Sequence, residues 1–348
     1  PLNLPAGRQG GFTCEYTFDC VLYTFDLTKM KKEKILIIGA GGQIGVELTL
    51  ALRKVYGNNQ VVASDIKEAH PLLKDSGPYT MLNAMDAKGT HELVKKEGIT
   101  QIYLLAALLS ATGEKAPHKA WEINMQSLLS TLELGVQEKL TKIYWPSSIA
   151  VFGPTTPHDK TPQKTVIEPR TVYGISKYAG ELWAQYYNQR WGLDVRSLRY
   201  PGLISWKSEP GGGTTDYAVE IYHEALKNKR YTCFLSENTY LPMMYMDDAI
   251  RGTIELMEAP IEKLKSRMAY NLSAMSFSPK EIAAAIQKHI PEFTIDYNPD
   301  FRQAIADGWP KSIDDTAARN DWGWKNEFDL DKMTSEMLVH LRERQLVN

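Results

Sequence analysis

The sequence predicts an α/β chain, a doubly wound parallel sheet with a smaller C-terminal lobe interleaved with it. Three observations predict this. From Lys34 to Tyr200, short Val/Ile/Leu-rich runs alternate with longer stretches of helical period, the pattern of parallel strands covered by helices on both faces. The first run leads through clustered glycines into the first helical stretch. Beyond Pro201 the alternation loosens, and Gly211-Gly212-Gly213 opens a segment of different character.

The elements follow in order. Strands are expected at Ile35 to Ile38, Gln60 to Ser64, Thr80 to Asn83, Gln101 to Leu105, Lys142 to Trp145 and Val195 to Leu198. Helical periodicity places helices near 43–56, 88–97, 117–138 and 173–191 between them. After the glycine run, Thr214 to Lys227 is amphipathic, and Asp247 to Met257 and Ser278 to His289 carry helical period again. These later stretches read as returns to the core, so residues 30–200 form the nucleotide-binding core and 201–348 mainly a substrate lobe. Residues 1–29 fit no folded pattern and lack the basic start and long apolar core of a secretory signal. They read as a non-native or disordered leader with Met30 as the expected native start, a targeting arm being the alternative.

Composition narrows the function. Forty lysines and arginines oppose 42 acids for a net charge of −2, so no overall field draws the chain to nucleic acid or an anionic membrane. No apolar run approaches the roughly 20 residues that cross a bilayer. Cys14, Cys20 and Cys233 are too few and too irregularly spaced for a disulfide framework or a zinc site, and a reducing, cytoplasmic setting is expected. The seven histidines form no metal-binding pair, so no metal is expected. A small-molecule partner remains.

The segment Lys34 to Gly45 reads as strand, glycine turn and helix start. Gly39 permits the sharp turn, Gly42 lets the backbone approach a pyrophosphate, and Gly45 lets helix and strand pack closely. The N–H groups of the first helical turn, at Gln43, Ile44 and Gly45, then face the phosphates with the positive end of the helix dipole. Asp65 follows 20 residues later at the end of the second strand, the context that makes the motif a Rossmann-type dinucleotide site. Its carboxylate accepts from both hydroxyls of the adenosine ribose and repels a 2′-phosphate, so NAD is expected rather than NADP. Asp86 is placed either for the adenine edge or as a helix N-cap. Leu105-Ala106-Ala107 ends the fourth strand beside the cofactor, where small side chains allow close approach.

Tyr173 and Lys177 are the chain's only Tyr-x-x-x-Lys pair. On a helix this spacing puts both side chains on one face, about 5 to 6 Å apart at Cβ. A phenol of pKa near 10 is a poor base at neutral pH, and bringing it down by about three takes roughly 4 kcal/mol of preferential phenolate stabilisation. An ammonium and a positive nicotinamide ring together supply that. Ser148, in Trp145-Pro146-Ser147-Ser148, ends the preceding strand and is suited to hold the reacting oxygen.

Glycine triplet, acidic strand end, serine and Tyr-x-x-x-Lys together resemble the extended short-chain dehydrogenase/reductase superfamily, over about Lys34 to Leu346. The resemblance implies that Asn124, and Tyr200 with Pro201 and Leu203, lie near the cofactor. It also matches the late segment Asp314 to Arg319 with Gly323-Trp324. Sugar-nucleotide members typically carry an arginine for the diphosphate where this chain has Leu241, and leucine cannot pair with a phosphate.

Leu108 to Ala111, Pro201 to Ser205 and above all Gly211-Gly212-Gly213-Thr214-Thr215-Asp216-Tyr217-Ala218 resemble the L-threonine 3-dehydrogenase branch. That resemblance implies NAD-dependent oxidation of a threonine β-hydroxyl to 2-amino-3-oxobutyrate. Tyr173 would be the base, Lys177 its partner, and Ser148, Ser110, Thr214 and Thr215 would contact the amino acid. Trp309 would cover the pocket. Each hydroxyl read alone is also a candidate helix cap, Thr214 especially. A nucleotide-sugar epimerase with bound NAD is the alternative, and an NAD-sensing binding protein a second. The long helices at 117–138 and 173–191 are apolar on more than one face, which fits a homodimer through a four-helix bundle, as in the superfamily, or burial within one chain.

Overall fold

The computed structural model describes residues 33–347 apart from Ser208 and Gly212, and the expected leader 1–29 lies outside the described residues. Six parallel strands form the main sheet. They are β1 (Ile35–Ile38), β2 (Val61–Asp65), β3 (Tyr79–Met81), β4 (Gln101–Leu104), β5 (Lys142–Tyr144) and β7 (Val195–Arg196), in the order β3-β2-β1-β4-β5-β7. The order reverses beside β1, whose neighbours are β2 and β4. A crevice opens at such a switch, past the carboxyl ends of the strands.

Alternate residues of β1 feed the two faces. Ile35 and Ile37 face an apolar layer shared with α1 (Gln43–Tyr56), whereas Leu36 and Ile38 face one shared with α5 (Pro117–Gln137). Between these lie α2 (Pro71–Lys74), α3 (Ala87–Glu97) and α4 (Ser110–Glu114), and α6 (Val172–Trp191) packs beside α5. The predicted helices agree with α1, α3, α5 and α6 to within about a residue at each end, the ordinary latitude of helix boundaries.

The expected strand Val195 to Leu198 is divided. Arg196 is pinned in the main sheet by Asp194 and by the carbonyls of Leu256, Met257 and Ala259. After Ser197 the chain changes neighbours. β8 (Leu198–Tyr200) becomes the middle of a separate parallel sheet between β6 (Ser147–Ser148) and β12 (Tyr270–Asn271). This small sheet carries Ser148 away from the main one.

β9 (Gly202–Ile204) pairs with β11 (Leu241–Tyr245), which also pairs antiparallel with β13 (Met275–Phe277). Between them, α7 (Tyr217–Asn228) and β10 (Arg230–Cys233) begin a second apolar cluster. It continues through α9 (Pro279–Gln287) and the C-terminal helix Leu330–Val347, while β14 (Thr294–Tyr297) pairs with β10. The intervening α8 (Met246–Glu258) returns to the main sheet, with Met246, Ala249 and Leu256 in the same apolar layer as Leu48 and Leu52 of α1. α7 begins at Tyr217 rather than Thr214 because the Asp216 carboxylate accepts the Gly213 N–H, which closes a turn ahead of the helix.

Candidate active site

The glycine loop is shaped by what each glycine must avoid. Gly39 has φ +94°, and a Cβ there would stand 2.6 Å from the Ala106 nitrogen. Behind it, Leu105 and Ala106 donate to the Ile38 carbonyl, so these two residues run across the back of the turn. A Cβ on Gly45 would meet the Gly39 carbonyl at 2.3 Å, so helix and strand touch through bare backbone. Gly42 is different. It is the N-cap of α1, in extended conformation with no side-chain cap, and the nearest atom to a Cβ there is 3.5 Å away.

Among the described residues, the first-turn amides at Gln43, Ile44 and Gly45 therefore have no side-chain acceptor, beside a glycine at which a Cβ would meet only ordinary contact. That donor set fits a diphosphate. The Asp65 carboxylate accepts the Gly41 N–H at 2.9 Å and the Lys67 N–H at 3.2 Å. A side chain on Gly41 would stand 3.1 Å from that carboxylate. Gly41 is thus a site residue that the glycine triplet does not include. Its signal in the sequence is a glycine one residue before the helix cap, opposite the strand-end acid. Asp86 is the N-cap of α3 and accepts the Gly89 N–H at 2.8 Å. Ala107 follows Ala106 toward the loop, and Asn124, buried in α5, holds both backbone groups of Leu108.

α6 begins with Thr171 accepting the Gly174 N–H and with Glu114 accepting the Val172 N–H. Tyr173 lies in its first turn and Lys177 one turn on, as the spacing predicts. Lys177 is 2% exposed. Its Nζ donates to the Pro146 carbonyl at 2.5 Å and stands 4.4 Å from the Trp145 ring centroid and 5.5 Å from that of Tyr173. Burial pushes the Tyr173 phenol up to about 12 against the opposing hydrogen bond with Ser148. Burial likewise draws the Lys177 ammonium down to about 7, opposed by the Glu181 carboxylate. Ser148 also accepts the Ala150 N–H at 3.2 Å. Serine, phenol and amine thus share one cluster, half-buried at Ser148 and Tyr173 and buried at Lys177, formed by β6 and the first turns of α6.

The remaining expected residues divide. Asn124 also donates to the Ser176 hydroxyl, which donates in turn to the Tyr173 carbonyl, tying the loop after β4 to α6. Ser110 is buried in the first turn of α4. Thr214 is buried, its hydroxyl has no hydrogen-bond partner among the described residues, and it caps no helix, since Asp216 occupies the cap position. Thr215 lies against Gly202. The Tyr200 phenol is turned inward, hydrogen-bonded to Tyr144 at 2.6 Å and to Thr253, so only its backbone, with Pro201 and Leu203, is left to face a cofactor. Trp309 belongs to the apolar core of the second lobe. Leu241 is buried in β11 and presents no charge. Among the described residues no group of three or more potential ligands is arranged for a metal.

The chain is similar to known proteins. The chain is 45% identical to a mitochondrial L-threonine 3-dehydrogenase of Bos taurus over 336 residues, 96% of this chain and 90% of the relative. The holo form of a GalE-like L-threonine dehydrogenase from Cupriavidus necator superposes with a TM-score of 0.87 at 59% identity, covering 88% of this chain and 99% of that one. A monomeric L-threonine 3-dehydrogenase from a metagenome, in apo form, gives 0.86 at 48% identity, covering 89% and 99%. The model of the NAD dependent epimerase/dehydratase family matches residues 35–273, from the first strand past β12. The glycine loop and the start of α6 both lie inside that span, and the chain belongs to the NAD dependent epimerase/dehydratase family, with NAD as its cofactor.

Proposed function

We propose that this protein oxidises the β-hydroxyl of L-threonine to 2-amino-3-oxobutyrate. The observation that carries the reaction type is Tyr173 in the first turn of α6, one helical turn from the buried Lys177 amine, whose Nζ stands 5.5 Å from the phenol ring centroid. The relatives named for L-threonine 3-dehydrogenase activity support the substrate, and so does the unpartnered Thr214 hydroxyl, a donor for a compact polar ligand.

NAD supplies the acceptor for the hydride that leaves Cβ. The protein's part is proton handling and placement. Tyr173, as phenolate, takes the proton of the β-hydroxyl while Ser148 holds that oxygen. Lys177 keeps its positive charge beside the phenolate, which offsets the burial that otherwise holds the phenol neutral. The amides at the start of α1 and the Asp65 carboxylate hold the cofactor's diphosphate and adenosine ribose. Ser110, Thr214 and Thr215 contact the amino acid, Trp309 backs the pocket from the lobe core, and Asp86 lies toward the adenine. Residues 30–200 form the cofactor core and 201–348 mainly the substrate lobe.

The test is NADH formation against a panel of β-hydroxy-amino acids and UDP-sugars, repeated with NADP. L-Threonine with NAD is expected to give the highest kcat/KM. Silent epimerisation of a UDP-sugar without net cofactor reduction would replace this reading, and equal efficiency with NADP would overturn the role of Asp65.

The assembly proposed is a homodimer through α5 and α6. Trp121, Ile175, Leu182, Trp183, Tyr186 and Trp191 are large apolar side chains exposed on these two helices, a patch of the kind that marks an interface. A relative described as monomeric makes this a point to measure. Trp183→Glu is expected to halve the mass seen by light scattering, and an unchanged mass would exclude this surface. A cytoplasmic setting is proposed on the cysteine usage. Cys233 is a buried free thiol whose pKa burial pushes up to about 11, and no helix among the described residues is long and apolar enough to cross a membrane.

A further inference from the structure

α6 carries a buried charge that the proposed reaction does not use. One turn beyond Lys177, Glu181 is fully buried. Its Oε1 accepts the Ser147 hydroxyl at 2.6 Å and Arg199 Nε at 2.9 Å, and its Oε2 accepts Arg199 Nη2 at 2.7 Å. Arg199 reaches across from β8, itself 2% exposed, and also donates to the Gln163 carbonyl and Asn271 Oδ1, each at 3.1 Å. Lys177 instead donates to the neutral Pro146 carbonyl.

The titratable and charged groups beside Lys177 are therefore Tyr173 and Glu181 on its own helix, and Arg199 of β8 reaches it through Glu181. The segment after β5 faces it with the Trp145 ring and the Pro146 carbonyl, which carry no charge, and Glu114 of α4 stands at the start of the helix on the Val172 N–H. A carboxylate one helical turn from a buried ammonium is its natural counter-ion. Here both carboxylate oxygens are occupied by a guanidinium, in the two-point geometry that makes such pairs strong.

We propose that Arg199 is a positioning residue for catalysis: by occupying Glu181 it prevents that carboxylate from neutralising Lys177, and so leaves the lysine's charge available to the Tyr173 phenolate. Lys177, Glu181 and Arg199 together hold one net positive charge. Without the guanidinium, Glu181 pairs with Lys177, and the phenol faces a neutral pair that cannot stabilise its anion. Burial draws the Lys177 ammonium down to about 7, and the Glu181 carboxylate opposes this only in part. The catalytic consequence rests on Tyr173 being the base, whereas the lysine titration does not.

The test is therefore made first on cofactor-free protein, by NMR titration of the lysine side chains, with the Lys177 resonance assigned by its absence in Lys177→Met. In Arg199→Met the Lys177 midpoint is expected to rise by about one pH unit or more, since the remaining partner is then a carboxylate in a buried site. In Glu181→Gln/Arg199→Met both charges are gone, and the midpoint is expected to return to within about 0.3 of the original. The acid limb of kcat/KM for the holoenzyme is expected to follow, higher in the single variant and restored in the double. Arg199→Gln, which keeps a donor to Glu181, gives the same single-charge deletion with less disruption.

Single variants that titrate like the original protein would overturn the proposal. If neither single variant accumulates, the double variant decides. An unmoved midpoint supports the proposal, and one lowered by about a unit overturns it, because Glu181 would then have been serving Lys177 directly. A fully active Tyr173→Phe would overturn the reading of Tyr173 as base while leaving the lysine result standing.

Discussion

Tyr173→Phe is expected to lower kcat by about 10²–10⁴-fold, the range over which a positioned general base acts. The substitution removes one oxygen. It leaves the α1 amides and the Asp65–Gly41 contact untouched, so the NAD dissociation constant is expected to stay within about twofold. Burial holds this phenol near 12 in the cofactor-free protein, so the activating charge has to come from Lys177 and the bound nicotinamide. The rate is accordingly expected to rise with pH, because the phenolate is the reactive form. Single-turnover reduction of NAD by L-threonine measures it, and near-normal rates in the variant would remove Tyr173 from the chemistry.

Gly174→Ala is expected to be nearly as damaging, although it adds only a methyl group beside the tyrosine. A Cβ at that position stands 2.1 Å from the Ala150 carbonyl oxygen and 2.9 Å from Pro169 Cβ. The first is a backbone atom of the turn after Ser148, so neither side can yield without moving the site. The start of α6 must draw back by about 1 Å, and a displacement of that size can cost on the order of 10² in rate. Overpacking of this kind also destabilises by about 1–3 kcal/mol. A variant with unchanged kcat would show that the first turn of α6 has slack. Measuring Tm beside kcat separates the two losses, because the rate is expected to fall even well below the melting transition.

The contrast between these two residues shows what the sequence discloses. Tyr173 and Lys177 are legible because helical spacing alone puts them on one face. Gly174 stands between them and reads only as a spacer. Its necessity comes from Ala150, which a periodic pattern cannot place against it. The long helices α1, α5 and α6 are legible from their helical period, with Gly57 and Gly192 closing α1 and α6 and Pro117 opening α5. The region from 195 to 200 was not, because one apolar run serves two sheets and pairing partners leave no mark on local composition. Tyr200 shows the same limit. Its position beside Pro201 is visible, but the inward turn of its phenol toward Tyr144 and Thr253 is a tertiary choice. Glu181 and Arg199 were passed over because a charged residue in sequence reads as surface until its burial is known.

The hydrogen bond between Asp65 and Gly41 bears on any attempt to retool the enzyme for the phosphorylated dinucleotide. The carboxylate that would repel the extra phosphate also braces the glycine turn. Exchanging Asp65 for a small neutral side chain lifts the repulsion and unfastens the turn in one stroke, so a lone substitution should surrender the old cofactor before it wins the new one. A successful redesign has to give the Gly41 amide a fresh acceptor at the same time.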